Sequence, residues 1–376
     1  GEPVQVRTDR TVNFNWIFAL PHPELDANCF SVAWTGSVIM PKTMDGCIGL
    51  STQDSMRLYV DDKLLIDGWG KDKSADQDFH FEAGRTYKIR IEFVNDRRGA
   101  RVIFGYSAGR ENFPAAVEAA RKADVAILCM GDNEETSGEN FDRTDLNLPG
   151  RQLELVQAVY ATGTPVVLVL QSGRPVTANW ENDHLPAILE AWFPGEQGGT
   201  AIAKTLFGDA APGGRLPITF PRSVGQIPCH YSRRPGGGKR YVEMDWLPLY
   251  PFGYGLTYTT FAYRDMALSR SVIDPQDTVT VSVTVTNTGK YNGDAVPQLY
   301  VRDMFSSVVK PERQLAAFRR LTLAPGESRR VELTVGPKQL RTLGPDYVWR
   351  VEPGKFELQL GDNAENILLR ADLTVE

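Results

Sequence analysis

Hydrophobic and polar positions change period twice along the chain. Up to about residue 107 the apolar residues alternate with polar ones in short runs: Phe30-Ser-Val-Ala-Trp34, Met56-Arg-Leu-Tyr-Val60, Thr86-Tyr-Lys-Ile-Arg-Ile-Glu-Phe93 and Arg101-Val-Ile-Phe-Gly-Tyr106. Asp, Gly and Pro turns separate these runs, a pattern that predicts the antiparallel strands of a β-sandwich. The spacing then switches. Phe113 to Lys122 reads as a helix, 124–130 as a strand, 150–162 as a helix, and Pro165 to Leu170 as a strand. Ala187 to Trp192 is a further strand and Gly198 to Phe207 a further helix. Such αβαβ alternation predicts a parallel sheet flanked by helices. From about 263 the period is two again, in Thr278 to Thr286, Pro297 to Val301, Arg329 to Val335 and Lys355 to Leu360, which fits an immunoglobulin-like sandwich. The predicted fold class is therefore multidomain α+β. A β-sandwich covers 1–110, an α/β sandwich with a mostly parallel sheet covers 111–262, and an immunoglobulin-like sandwich covers 263–376.

Composition narrows the partners. At 376 residues the chain is too long for one ordinary core. Its formal charge of −6 is mild and its basic residues are scattered, which argues against nucleic acid or an anionic membrane as the main partner. No apolar run approaches the length of a membrane span. The chain opens on Gly1-Glu2-Pro3 with no Met and no visible signal peptide, as a processed or truncated chain would. Of the four cysteines, Cys129 lies in an apolar strand and reads as a buried thiol, while Cys29 and Cys47 could pair. No Cys-x-x-Cys is present and the four His are isolated, so neither a metal nor a cofactor is expected.

The chemistry concentrates in one loop. Glu139, Asp142, Arg143 and Asp145 lie between Ser137 and Gly150, directly after the apolar run Val125 to Met130. Carboxyl ends of strands are where α/β sheets place their ligands. Asp142 and Arg143 are expected to bridge each other and shape the loop, and Asp145 to start the helix that follows Pro149. No second carboxylate loop of comparable character sits on a recognisable barrel, so half of an active site is expected here and half elsewhere. Glu196, in the Gly195 to Gly199 turn, reads as helix-start packing, because the turn lacks the Lys and Ser of a phosphate loop. Trp69, beside the Gly68 to Asp78 loop, has two readings: a platform for a sugar ring, or a core residue of the first sandwich. Tyr241 and Trp246 carry the same two readings. Pro235-Gly-Gly-Gly238 reads as a mobile loop.

Ordered motifs then point to a family. They are Ser137-Gly-Glu139 with Asp142-Arg143 and Leu148-Pro149-Gly150, Ser172-Gly-Arg-Pro175, and Trp192-Phe-Pro-Gly-Glu-Gln-Gly-Gly199. Leu206-Phe-Gly-Asp209, Gly214 to Pro221 and Tyr250 to Tyr258 follow. Together they resemble the C-terminal part of family 3 glycoside hydrolases, the β-glucosidase and β-xylosidase family. Asn287-Thr-Gly289 and Val296-Pro-Gln-Leu-Tyr-Val301 resemble the fibronectin type III-like domain of such enzymes. Trp34-Thr-Gly36, Arg57 to Asp61, Ile66 to Trp69 and Ala83 to Tyr87 resemble the protective-antigen-type sandwich inserted in some members. The run Pro221 to Pro228 resembles bacterial, often periplasmic, members, so a periplasmic or secreted location is implied.

The resemblance implies a retaining exo-β-glycosidase with Glu139 as acid/base, Glu134 and Glu135 being the competing positions. Arg143 and Trp69 become candidate substrate contacts. The nucleophilic Asp is implied on an N-terminal (β/α)8 barrel outside this chain, and Met244-Asp-Trp246 is not taken for it. The implied partners are a β-linked oligosaccharide or glycoside and that barrel, with a homodimer left open. A non-catalytic carbohydrate-binding or scaffold protein, and a β-xylosidase, stand as alternatives.

Overall fold

The structure, a computed structural model, describes residues 2–16, 20–52, 54–70, 75–96, 100–108, 113–134, 136–236 and 240–376. The chain divides into two compact units, residues 1–115 and 116–376.

The first unit is a sandwich of two antiparallel four-stranded sheets. Its strands are β1 (Asn13–Asn15), β2 (Phe30–Ile39), β3 (Met44–Thr52), β4 (Ser55–Val60), β5 (Lys63–Asp67), β6 (Ala75–Phe81), β7 (Thr86–Asn95) and β8 (Arg101–Ala108). They order as β1-β8-β3-β6 and β2-β7-β4-β5. Alternation sets the core: Tyr87, Ile89, Ile91 and Phe93 of β7 and, beside them in the same sheet, Met56, Leu58 and Val60 of β4 point inward and share one apolar cluster with Ile48 and Leu50 of β3. Strands β3 and β6 escape the periodicity reading because one is rich in glycine and the other polar. At Gly49 a Cβ would lie 2.7 Å from the Ala75 carbonyl, so these two strands approach as only glycine permits. Because 75–78 belong to β6, the loop expected from Gly68 to Asp78 is shorter than the sequence suggested.

The second unit begins with α1 (Pro114–Arg121), β9 (Ala126–Gly131), α2 (Gln152–Tyr160), β10 (Val166–Gln171), α3 (Asn179–His184), β11 (Ala187–Glu190) and α4 (Gly198–Leu206). The three strands are parallel in the order β11-β10-β9, with Leu168 beside both Leu128 and Ile188. Val156 and Val159 of α2 pack on Val166, Leu168 and Leu170 in the core. Central β10 is covered, whereas β9 lies at the sheet edge. Its Leu128 and Met130 pack on the core, but Ile127 and Cys129 are exposed. Cys129 is thus a free, exposed thiol rather than a buried one, because a continuous apolar run does not reveal that only one face is covered. Cys29 and Cys47 are also free.

A second sandwich completes this unit. Strands Phe261–Leu268, Val279–Asn287 and Ser328–Val335 form one sheet. Val272–Ile273, Ile367–Val375, Gly354–Gly361, Gln298–Asp303 and Gln314–Phe318 form the other. Val279, Val281, Val283 and Val285 alternate into its core. Among the described residues no helix is long and apolar enough to cross a membrane.

Two polar side chains tie this sandwich together and to the α/β layers. Buried Asn287 uses both ends of its amide. Its Oδ1 accepts from Thr259 Oγ1 (2.6 Å) and the Gly289 amide (3.0 Å), and its Nδ2 donates to the Tyr291 (2.8 Å) and Leu323 (2.9 Å) carbonyls. Buried Gln298 donates to the carbonyls of Gly253 (3.0 Å) and Asp362 (2.6 Å) and accepts from Tyr300 Oη (2.6 Å). Gly253 has φ +81, and a Cβ there would fall 2.0 Å from Gln298 Oε1, so the glycine and the glutamine require each other. Gln298→Ala orphans these partners and opens a cavity, and should cost on the order of 2–4 kcal/mol in urea unfolding. A loss below about 0.5 kcal/mol would show that the junction does not rest on this side chain.

Candidate functional site

The carboxyl ends of β9, β10 and β11 carry three loops: 132–150, 172–178 and 191–197. The edge begins at Gly131, where φ is +142 and a Cβ would lie 1.9 Å from the Gln171 carbonyl. No other residue fits there. Gln152 of α2 grips the same residue from the far side, accepting from its amide (2.7 Å) and donating to its carbonyl (2.8 Å). The next residue, Asp132, donates its amide to the Gln171 carbonyl at 2.9 Å.

Asp132 is the hub of the site, with a side chain only 2% exposed. Its Oδ1 accepts from Arg143 Nη1 (3.2 Å) and Thr136 Oγ1 (3.1 Å). Its Oδ2 accepts from the Gly173 amide (3.4 Å) and faces Arg174 Nε at 3.7 Å. An enclosed carboxylate is tolerated only when paired and hydrogen-bonded in this way. Arg143, itself largely enclosed, continues to the Asn147 carbonyl (2.6 Å) and to Asp145 Oδ1 (3.4 Å). The expected Asp142–Arg143 bridge is therefore replaced: Asp142 is exposed, and Arg143 turns inward to the deeper carboxylate. Asp145 does not start the helix either. α2 begins at Gln152, and Asp145 instead accepts the Asn147 amide at 2.8 Å in a local turn. Asn147 Oδ1 accepts from Thr177 Oγ1 (2.6 Å), which fastens the acidic loop to the loop beyond β10.

Glu139 sits at the tip of this framework. The Phe141 amide donates to the Gly138 carbonyl at 3.2 Å, closing a four-residue turn with Glu139 and Asn140 at its centre. Asn140 has φ +64, the left-handed conformation that Asn tolerates and a type II turn requires at this position. The Glu139 carboxylate is exposed at the apex. Glu134 is also exposed but lies in the preceding turn, closed by Ser137 N–H to Asn133 O at 3.0 Å. Glu135 lies outside the described residues. Glu196 is exposed ahead of α4, and the close packing at that helix start comes instead from Gly198, whose Cβ would meet Pro194 at 2.4 Å.

Glu190, at the end of β11, went unnoticed in the sequence because it is a single acid inside an apolar strand. Its Oε1 accepts the Trp192 amide at 2.9 Å, while Oε2 is enclosed without a partner. Burial pushes its carboxyl up to about 7, against the Trp192 amide and then the Ser172 hydroxyl, which both lower it; the charge of Asp132 adds the smallest contribution, upward. Trp192 is held at φ +52, strained for an aromatic residue, and its ring packs edge-on against Phe220. Asp132, Arg174 and Gln152 were missed too, although the strand-end position of Asp132, one residue past Gly131, was a usable signal.

Trp69 belongs to the first unit. It is 44% exposed, so the core reading does not hold. The Arg57 guanidinium lies 4.5 Å over the ring, and Asp67 Oδ1 accepts both Arg57 Nε and the Trp69 amide at 3.2 Å. Trp246 is covered by Arg233 at 4.4 Å, and Tyr241 Oη donates to the Gly225 carbonyl at 2.8 Å. Both rings line a cleft of about 440 Å³ with Tyr231, Phe252 and Glu365.

The second unit thus joins a parallel α/β sheet, with carboxylates and arginines at its carboxyl edge, to an immunoglobulin-like sandwich. Residues 25–258 match the model of the glycosyl hydrolase family 3 C-terminal domain, and residues 295–364 that of the fibronectin type III-like domain. The chain belongs to glycosyl hydrolase family 3. It is 45% identical over 302 residues to a β-xylosidase of Formosa agariphila, covering 77% of this chain and 42% of that protein. Over 263 residues it is 42% identical to a periplasmic β-glucosidase of Salmonella typhimurium, covering 67% of this chain and 34% of the other. The crystal structure of a β-glucosidase from Kluyveromyces marxianus superposes with a TM-score of 0.77 at 28% identity, over 100% of this chain and 48% of that one. The chain thus spans half or less of the length of these relatives.

The Glu190 carboxyl gives a signed pH dependence. It is raised from the ordinary 4.5 to about 7, so as pH rises the unfolded chain releases this proton first. Stability should therefore fall across that window and level off above it. Glu190→Gln keeps an oxygen for the Trp192 amide and carries no charge. Relative to the wild type it should gain on the order of 1–3 kcal/mol between pH 5 and pH 8. Parallel stability curves for the two proteins would mean that Glu190 ionises freely in the folded state.

Proposed function

We propose that this chain is the C-terminal portion of a retaining exo-β-glycosidase, a β-glucosidase that removes terminal non-reducing β-D-glucosyl residues, and that Glu139 is its general acid/base. The observation that carries the reading is the placing of Glu139. It is an outward carboxylate at the apex of a turn braced by the Asp132 cluster, at the sheet edge where such folds bind ligands. Family membership and the names of the relatives support the reaction class.

The mechanism follows from two carboxyl groups about 5 Å apart. An Asp on a barrel outside this chain attacks the anomeric carbon while Glu139 gives its proton to the departing glycosidic oxygen, leaving a covalent glycosyl–enzyme. The Glu139 carboxylate then takes a proton from water, which attacks the same carbon and releases the sugar with retained configuration. A general acid must be protonated when substrate binds. Arg143 serves as the internal partner of Asp132 rather than as a sugar contact, since its fork is committed to Asp132, Asp145 and Asn147. The Salmonella relative supports a periplasmic location. The Formosa relative favours a second reading, a β-xylosidase, which a side-by-side assay of aryl β-glucoside and aryl β-xyloside separates.

In the complete enzyme, Glu139→Ala should cut hydrolysis of alkyl glucosides by about 100-fold or more. It should spare glycosylation by 2,4-dinitrophenyl glucoside, and azide should restore turnover with formation of a β-glycosyl azide. Azide rescue of Glu134→Ala instead would move the role to Glu134, and absence of turnover by the intact wild-type protein would favour a non-catalytic binding protein. Trp69 offers an exposed ring face for stacking on a sugar. If it does so, Trp69→Ala should raise KM several-fold for longer oligosaccharides and leave small aryl glycosides unchanged; equal effects on both would remove Trp69 from substrate binding.

A further inference from the structure

Among the described residues, Arg174 is the one side chain from outside the acidic loop that hydrogen-bonds to it on both sides of Glu139. Its Nη2 donates to Ser137 Oγ at 3.4 Å, two residues before Glu139, and its Nη1 donates to the Phe141 carbonyl at 3.3 Å, two residues after. Its Nε faces Asp132 Oδ2 at 3.7 Å. All three guanidinium nitrogens are therefore assigned, and the planar group sets the angle between their partners. The backbone beneath is equally constrained. The Arg174 carbonyl accepts from Ser172 Oγ (2.8 Å), the Gly173 amide donates to Asp132, and a Cβ on Gly173 would lie 2.7 Å from the Phe193 ring and 3.1 Å from Ser137 Oγ. The turn it grips is closed by a 3.2 Å backbone bond from the Phe141 amide to the Gly138 carbonyl.

We infer that Arg174 is a positioning residue for the acid/base: held by Asp132, it fixes the flanks of the Glu139 turn and so aims the carboxylate at the glycosidic oxygen. This rests on the proposed role of Glu139. A proton donor displaced by about 1 Å loses on the order of 100-fold in proton transfer, while attack by the nucleophile is unaffected. The effect of Arg174 should thus scale with the need for a proton. A purely structural arginine would instead affect all substrates alike. Lysine at this position keeps the charge beside Asp132 but cannot hold Ser137 and Phe141 together, so Arg174→Lys separates pairing from aiming.

The test uses the complete enzyme with Arg174→Ala, Arg174→Lys and, as reference, Glu139→Ala. Both Arg174 variants should lose about 10- to 100-fold in kcat/KM for an alkyl glucoside and under about 3-fold for 2,4-dinitrophenyl glucoside. Ki for a competitive monosaccharide inhibitor should stay unchanged, and guanidinium ion should partly restore Arg174→Ala towards the alkyl substrate. Equal losses on both substrates, or a lowered Tm with wild-type leaving-group dependence, would overturn the inference. Should Arg174→Ala fail to fold, Arg174→Lys decides the matter by the same substrate ratio. Leaving-group dependence in Glu139→Ala but not in the Arg174 variants defeats the positioning role alone. Its absence from Glu139→Ala defeats the acid/base assignment itself.

Discussion

A carboxylate as enclosed as Asp132 must find cations and N–H groups, or it would cost several kcal/mol to bury. It meets the requirement by drawing two arginines, a threonine hydroxyl and a glycine amide from three stretches of chain. Because these donors come from both the acidic loop and the loop after β10, satisfying one charge fixes the path of both loops at the sheet edge. Arg143 brings back the end of the acidic loop, and Arg174 carries the grip to the flanks of Glu139. The geometry of the exposed carboxylate is thus a by-product of a buried one.

Two further carboxylates at this edge, Glu190 and Glu139, illustrate how environment separates side chains. Glu190 has the raised carboxyl usually sought in a general acid, yet Oε2 is sealed and Oε1 is occupied by the Trp192 amide. Its enclosure holds the strained turn at Trp192 rather than offering a proton to a ligand. Glu139 has the opposite balance, reachable but unenclosed. A titration criterion and an access criterion therefore select different residues at this edge.

Several motifs of the family turn out to be packing constraints. Gly253 leaves room for Gln298, Gly289 for Thr259, and Gly131 for the Gln171 carbonyl. Asn287 and Gln298 satisfy buried carbonyls that no regular strand pairing reaches. In each case the motif residue is dictated by a neighbour far along the chain. The motif is therefore a record of tertiary contact rather than of chemistry.

The alternation of Val279 to Val285, the helical spacing of Gln152 to Val159 and the apolar run of β10 were legible because they express local periodicity, which the backbone imposes residue by residue. The acidic loop was legible because several charges after an apolar strand are uncommon. The sequence alone therefore determined the three kinds of layer and the position of Glu139. It did not determine partners. Arg143 has an aspartate one residue before it and chooses Asp132, eleven residues away, because burial strengthens pairing far more than proximity on an exposed loop. Likewise the exposure of Cys129 and of Trp69, and the sealing of Glu190, depend on which face of a strand or loop is covered. Coverage is set by where other elements lie, so only the tertiary structure could decide it.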